Sequence, residues 1–193
     1  MWSRYMRSAV AIAATAAALG CATQKGAAEK AIAAADTALQ AVSADAKMYV
    51  PDQFTAASDQ LAAARSDLDA RKYGDALSKA QDAAATVTAL GPAIAAKKSE
   101  LAANWKALSD SLPTMVQAIQ KKVDELSKMR RLPAGMSAKT LTDAKAALES
   151  MTGTWGQAMD AYKAGNVMDA VAKANTVKSS ATETMKTLGM KAM

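Results

Sequence analysis

The chain has 193 residues, of which 51% are hydrophobic and only 4% aromatic; much of the hydrophobic share is alanine, which forms helices readily and buries little surface. Histidine is absent and cysteine occurs once, which excludes histidine-based acid–base catalysis, the usual zinc sites and any disulfide within the chain. The formal net charge is +6, and it falls to +4 when Arg4 and Arg7 at the start of the chain are set aside. This charge is mild and interspersed, unlike the dense basic stripe of nucleic-acid-binding proteins, so we expect no nucleic-acid partner.

The first residues are typical of a secretion signal. Arg4 and Arg7 give a positive start, and residues 9–19 form an apolar stretch of signal length. This stretch is too short to cross a bilayer, which needs roughly 20 apolar residues. Residues 18–21 read ALGC, an ending that resembles the lipobox of bacterial lipoproteins, in which the cysteine is diacylated, freed by cleavage and acylated again.

This resemblance implies that residues 1–20 are a cleaved signal peptide and that Cys21 carries lipid, palmitate included, with residues 21–26 as a short tether. Two or more acyl chains anchor a protein stably. In the family an aspartate after the cysteine favours the inner membrane; here Ala22 follows, so we expect the outer membrane and a periplasm-facing body. The alternatives are a small buried cysteine in an alanine-rich helix and ordinary secretory cleavage.

From residue 27 onward, apolar residues recur at spacings of three and four, which predicts helices that pack on their neighbours. The first helix is expected to end before Pro51, because proline disfavours a helical residue before it. Asp52 can then cap the second helix. The second helix is predicted to end near Gly74 and the third to begin at Asp75, so the pair forms a helical hairpin.

The hairpin recurs at an offset of 94 residues. The apolar stripe of residues 54–68 falls without a gap on residues 148–162, and the segment DALSKA at 75–80 falls on DAVAKA at 169–174. Two halves of a hairpin in one register indicate an internal repeat. The second copy is predicted to begin around Ser137.

The turn AYKAGN at residues 161–166 resembles the mid-repeat turn of a tetratricopeptide hairpin, where a tyrosine and small residues let two helices approach closely. That resemblance implies a groove for a peptide or helix. The chain also resembles alanine-rich helical lipoproteins known only as domains of unknown function. A start such as Tyr49-Val50-Pro51, followed by a hairpin that turns at a tyrosine, is typical of them.

The segment between the two hairpins has two interpretations. Its three–four spacing continues through Pro92 and Pro113, which favours one long helix, kinked at the prolines and ending near Arg131. Three helices that break at Gly91 and Ser111 are the alternative.

Methionine is abundant, with 12 residues, and clustered methionines can bind copper as soft ligands. Methionine also fills irregular gaps in hydrophobic cores, and we expect this role here, with no metal and no cofactor. The methionines in question lie in the last third of the chain: Met151, Met159, Met168, Met185, Met190 and Met193.

Five cations gather near the end of the central segment: Lys121, Lys122, Lys128, Arg130 and Arg131. They could face anionic headgroups, lipopolysaccharide or a cell-wall polymer. Because a helix dipole alone favours cations at its carboxyl end, a purely structural role is the expected one.

No catalytic constellation is predicted. Asp67 and Asp69, or Asp124 and Glu125, are neighbours on a helix whose side chains point in different directions, so neither pair converges on a substrate. Phosphate-binding loops and nucleophile motifs are missing from the sequence. We therefore expect a protein that is not an enzyme.

The predicted fold is all-α: an elongated bundle of antiparallel hairpins with a long kinked central helix. The predicted segments are a signal peptide (1–20), a lipidated tether (21–26), a hairpin with a central arm (27–131) and a carboxyl-terminal hairpin (132–193). The expected function is a structural spacer or interaction adaptor in the cell envelope, anchored by lipid and contacting envelope proteins or further copies of itself. The alternative is a binding module whose groove is lined by Trp105, Trp155 and Tyr162.

Overall fold

The computed structural model describes residues 3–133 and 135–191, with side chains described from residue 23 onward. The described residues form five helices and no strand, so the predicted all-α class is confirmed. The helices are α1 (Ser3–Tyr49), α2 (Pro51–Asp69), α3 (Tyr73–Lys128), α4 (Ala138–Lys163) and α5 (Val167–Thr187).

The first two helices meet at the predicted proline. Helix α1 ends at Tyr49 and α2 begins at Pro51, whose missing N–H is unneeded in a first turn. The predicted capping by Asp52 is wrong: Val50 holds the cap position and no side chain caps the helix. Asp52 lies in the first turn instead, where a negative charge complements the helix dipole.

Residues 23–26, expected in the tether, lie within helix α1. A single glycine costs a helix only about 1 kcal/mol relative to alanine, too little to end so alanine-rich a segment.

Helix α3 runs without interruption through Pro92 and Pro113, so the alternative of three separate helices is wrong. Each proline removes one backbone hydrogen bond, but the buried stripe continues in phase across both. Buried Leu90 and Ile94 flank Pro92, and buried Leu112 and Met115 flank Pro113. The kinks expected at the two prolines remain a prediction. The helix ends at Lys128, about one turn before the predicted end.

The chain divides into two compact units, Met1–Lys98 and Ser99–Met193, with the boundary inside α3. In unit 1, helices α1 and α2 and residues 73–98 of α3 share one core, half of whose members are alanines, so the helices pack closely. These core residues are Ile32, Ala35, Leu39, Ala46, Ala57, Leu61, Ala64, Ala80, Ala83, Val87, Leu90 and Ile94.

In unit 2, residues 99–128 of α3 pack with the α4–α5 hairpin around larger side chains. The bulkiest fully buried ones are Leu112, Ile119, Leu126, Met151, Val177 and Met185. Helix α4 begins next to the predicted Ser137, whose hydroxyl caps it by accepting a hydrogen bond of 3.0 Å from the backbone N–H of Thr140. The predicted hairpin-and-arm segment 27–131 therefore contributes to both units.

The two interhelical turns match at the predicted offset of 94 residues. Each closes the preceding helix with the same three backbone hydrogen bonds, the pattern of a Schellman motif. In the α2–α3 turn, the backbone N–H groups of Ala70, Arg71 and Lys72 donate to the carbonyls of Ser66, Leu68 and Asp67, respectively. In the α4–α5 turn, those of Ala164, Gly165 and Asn166 donate to the carbonyls of Asp160, Tyr162 and Ala161, respectively. The residue at the left-handed position is Arg71 in one turn, with φ 62°, and Gly165 in the other, with φ 81°.

Candidate functional site

The three aromatic residues predicted to line a groove come together in unit 2. Trp105 on α3 stacks on Trp155 with ring centroids 5.6 Å apart, and on Tyr162 with centroids 4.5 Å apart. Residues 155 and 162 are separated by two turns of α4, a rise of about 10.5 Å. Since the two centroid distances together nearly equal that rise, the Trp105 ring lies between the other two.

This three-ring stack is a packing arrangement. Trp105 is only 6% exposed and Trp155 is half-buried, whereas Tyr162 is 43% exposed. Stacked aromatic pairs contribute about 0.5–1.5 kcal/mol beyond the area that they bury. Both faces of the Trp105 ring are therefore covered by side chains of α4, and the stack joins α4 to α3. A bound peptide would need those faces to be free.

The surface of unit 2 also carries shallow grooves. One of about 260 Å³ lies between α3 and α5 and is lined in part by Asn104, Ser111, Asn175 and Lys178. Ligand pockets usually measure about 300–1,000 Å³ and are mostly apolar. This groove is smaller and partly polar, which suits surface water better than a buried ligand.

Neither candidate pair of carboxylates forms a reaction centre. Asp67 is buried and makes an ion pair of 2.5 Å with Lys79, whereas Asp69 is exposed. Asp124 accepts a hydrogen bond of 2.8 Å from Gln120, and Glu125 is exposed nearby. Within residues 3–133 and 135–191, no group of three or more aspartate, glutamate, cysteine or histidine side chains is placed to hold a metal ion.

The methionines of the last third do not gather at one surface. Met151 and Met185 are 1% and 2% exposed in the core of unit 2, in the core-filling role predicted for methionine. Met159, Met168 and Met190 are half-buried, and Met193 lies outside the described residues.

Sequence reasoning missed a set of ion pairs that join the helices of unit 1. Arg65 of α2 contacts Asp36 of α1 at 2.7 Å, in addition to the pair between Asp67 and Lys79. The partners lie on different helices, so the local spacing of charged residues does not predict these ion pairs. These two ion pairs join α1 to α2 and α2 to α3, and a third joins α1 to α3.

The pair that joins α3 to α1 is formed by Lys98 and Asp45, 2.7 Å apart. The Lys98 ammonium also lies 4.9 Å from the centre of the Tyr49 ring, a cation–π geometry. The hydrogen bond to Asp45 is the main cause that raises the pKa of Lys98, with the charges of Asp45 and Tyr49 adding to it against desolvation. Both partners are about half exposed, so the pair orients the helices more than it stabilises them.

The five cations near the end of α3 lie in residues 121–131, here called the basic segment. Lys121, Lys128, Arg130 and Arg131 are exposed, and Lys122 is half-buried. The last two follow the end of the helix, in the loop that leads to α4.

The predicted lipidation site, Cys21, and the basic start of the chain lie outside the described side chains. Within the described residues, none of the helices has both the length and the apolar character needed to span a membrane. Comparison with known proteins finds no matching family model, no matching curated protein and no matching solved structure.

Proposed function

We propose that the protein is a lipid-anchored protein of the bacterial cell envelope, held by acyl chains on Cys21. The observation that carries the proposal is the order of features in residues 1–21: two arginines, an apolar stretch and the ALGC ending that resembles a lipobox. Ala22 favours the outer membrane over the inner one, with the helical body facing the periplasm.

We further propose that the body acts as a non-enzymatic structural spacer or interaction adaptor. The absence of histidine and the use of Asp67, Asp36 and Asp45 in ion pairs between helices fit a scaffold better than an acid–base catalyst. Helices packed through alanine leave long outer faces, which suit envelope proteins or a second copy of the chain as partners.

The alternative, a groove that binds a peptide, loses support from the aromatic stack. Its proposed lining residue Trp105 is buried between Trp155 and Tyr162 and does not face an open cleft. The spacer or adaptor role is the one that these contacts favour.

The anchor is tested by producing the full chain in a bacterium with two membranes, fed radiolabelled palmitate. The unmodified chain should incorporate label and fractionate with membranes. Cys21→Ser should lose the label, whether or not the body stays in contact with the membrane through other residues. Ala22→Ser is the matched control, because it adds the same hydroxyl one residue later and keeps the thiol. Label that persists in Cys21→Ser would contradict the proposal.

A further inference from the structure

The positive charge of the protein is unevenly distributed. From residue 22 to the end of unit 1, nine basic side chains face nine acidic ones, so this part carries no net charge. Unit 2 has thirteen basic and nine acidic side chains, a net of +4. The whole surplus therefore lies in unit 2.

Within unit 2 the surplus is concentrated in the basic segment, where five cations share 11 residues with Asp124 and Glu125. In the part of the chain that the structure describes, none of these five cations makes an ion pair. Four of the other eight cations of unit 2 do: Lys106 pairs with Asp110, Lys139 with Asp143, Lys163 with Asp160 and Lys173 with Asp169. The basic segment thus has a net charge of +3, and its cations form no ion pair with the two carboxylates that it contains.

The helix dipole explains only part of this cluster. Its effect is confined to the last turn of a helix, which here includes Lys128. Lys121 and Lys122 lie one to two turns earlier, and Arg130 and Arg131 lie beyond the end of α3. The helix dipole therefore explains Lys128 and leaves the other four cations without an explanation.

The basic segment also carries an exposed apolar side chain. Met129 directly follows α3 and is 47% exposed, and Met136 in the same loop is half-buried. Apolar side chains that dip below the headgroups, flanked by lysine and arginine, are typical of segments that lie in a membrane interface. A soluble polyanion would satisfy the cations but would offer nothing to the methionine.

We propose that the basic segment lies on a membrane surface, with its cations on the phosphate groups of anionic phospholipids and Met129 inserted at headgroup depth. Each cation near such a surface contributes about 1 kcal/mol, or roughly fivefold in binding. Salt weakens this attraction, because the screening length falls from about 10 Å at 0.1 M to about 3 Å at 1 M. The contact is independent of lipid on Cys21.

The test places an environment-sensitive fluorophore on the full chain. The chain carries Cys21→Ser, which removes the only native thiol, and Met129→Cys provides the attachment point. Met48→Cys is the matched control, because Met48 is similarly exposed at 51% and follows Lys47 in the neutral unit 1. Vesicles are made of phosphatidylcholine alone or mixed with phosphatidylglycerol. A probe at one position reports contact there even if the amino-terminal apolar stretch holds every variant on the vesicles.

The probe at position 129 should shift to the blue with anionic vesicles at low salt and return at 1 M salt, and the probe at position 48 should not respond. An unresponsive probe at 129, an equal shift with neutral vesicles, or an equal shift at 48 would overturn the proposal. Because the chain used cannot be acylated at position 21, these outcomes do not bear on the lipid anchor.

Charge variants separate local attraction from net charge. Replacing Lys121, Arg130 and Arg131 with glutamine should raise the vesicle concentration that gives half the shift roughly a hundredfold, at about fivefold per cation. The matched variant replaces three ion-paired cations, Lys106, Lys163 and Lys173, and loses the same charge. It should change that concentration by less than about fivefold, the effect of a single cation at the surface. Equal effects of the two variants would show that only the total charge matters.

Discussion

The two matching turns give a stability prediction that uses one kind of substitution at two glycines of the same hairpin. Gly165 closes α4 at φ 81°, a conformation that costs an ordinary L residue about 1–2 kcal/mol. Gly153 lies inside α4, where glycine is about 0.5–1 kcal/mol less favourable than alanine. A Cβ atom added at either glycine meets nothing within 4 Å, so packing contributes to neither change.

Gly165→Ala should therefore lower the free energy of unfolding of unit 2 by about 1 kcal/mol, whereas Gly153→Ala should raise it by about 0.5–1 kcal/mol. In unit 1, Arg71 occupies the equivalent left-handed position, so Arg71→Gly should stabilise that unit by about 0.5–1 kcal/mol. The two glycine-to-alanine substitutions thus change the free energy of unfolding in opposite directions, because the φ angle is positive at residue 165 and helical at residue 153.

The assay is unfolding in urea, followed by tryptophan fluorescence and by circular dichroism. Of the three tryptophans, Trp105 and Trp155 lie in unit 2 and Trp2 lies in the predicted signal peptide. In a chain that begins at residue 22, fluorescence therefore reports the unit in which the two glycines are changed. If Gly165→Ala and Gly153→Ala shift the midpoint in the same direction, the assignment of the left-handed position at Gly165 is refuted. If Arg71→Gly destabilises, the correspondence between the two turns is refuted.

Three further predictions follow from the packing, the ion pairs and the anchor. Trp105→Ala should destabilise unit 2 by about 3–5 kcal/mol. Tyr162→Phe should cost under about 0.5 kcal/mol because it keeps the stacked ring. Urea unfolding followed by circular dichroism measures both losses, and similar losses would contradict the stack. Because its folded-state pKa is raised, Lys98 should stabilise unit 1 fully below the ordinary lysine pKa and lose that contribution as pH rises through the raised value. Lys98→Gln should flatten this alkaline loss in urea titrations, and an unchanged pH profile would exclude the pair as its source. Ala22→Asp should move the protein from outer-membrane to inner-membrane fractions in a density gradient, and no movement would count against the sorting that the lipobox resemblance implies.

Much of the helical layout could be predicted because its signals are local. Pro51 ends the first helix through its own ring, and Ser137 and Gly165 occupy a cap and a turn for which their chemistry suits them. The 94-residue repeat placed the turn of the second hairpin correctly, and the structure shows that the two turns share their backbone hydrogen bonds. The continuity of α3 was harder to predict, since each proline alone argues for a break and only the unbroken apolar phase argues against one.

Contacts between distant residues could not be predicted. The sequence suggested Trp105, Trp155 and Tyr162 as the lining of one groove, but nothing in it predicted that their rings stack on one another. The ion pair between Lys98 and Asp45 spans 53 residues and has no local signal. The boundary between the units, at Lys98, also went unpredicted. A signal for it exists in the sequence: Lys98 is a charged residue on the otherwise apolar stripe of α3, between Ile94 and Leu101.

The measurement that tests the central proposal most directly is the mass of the amino-terminal peptide of the protein purified from bacterial membranes. If the protein is a lipoprotein, that peptide begins at Cys21 and carries the added mass of a diacylglycerol group and one further acyl chain. Inhibition of the lipoprotein signal peptidase should leave a longer chain that still carries the diacylglycerol. A mature protein that begins at another residue, or a Cys21 that retains a free thiol, would contradict the account.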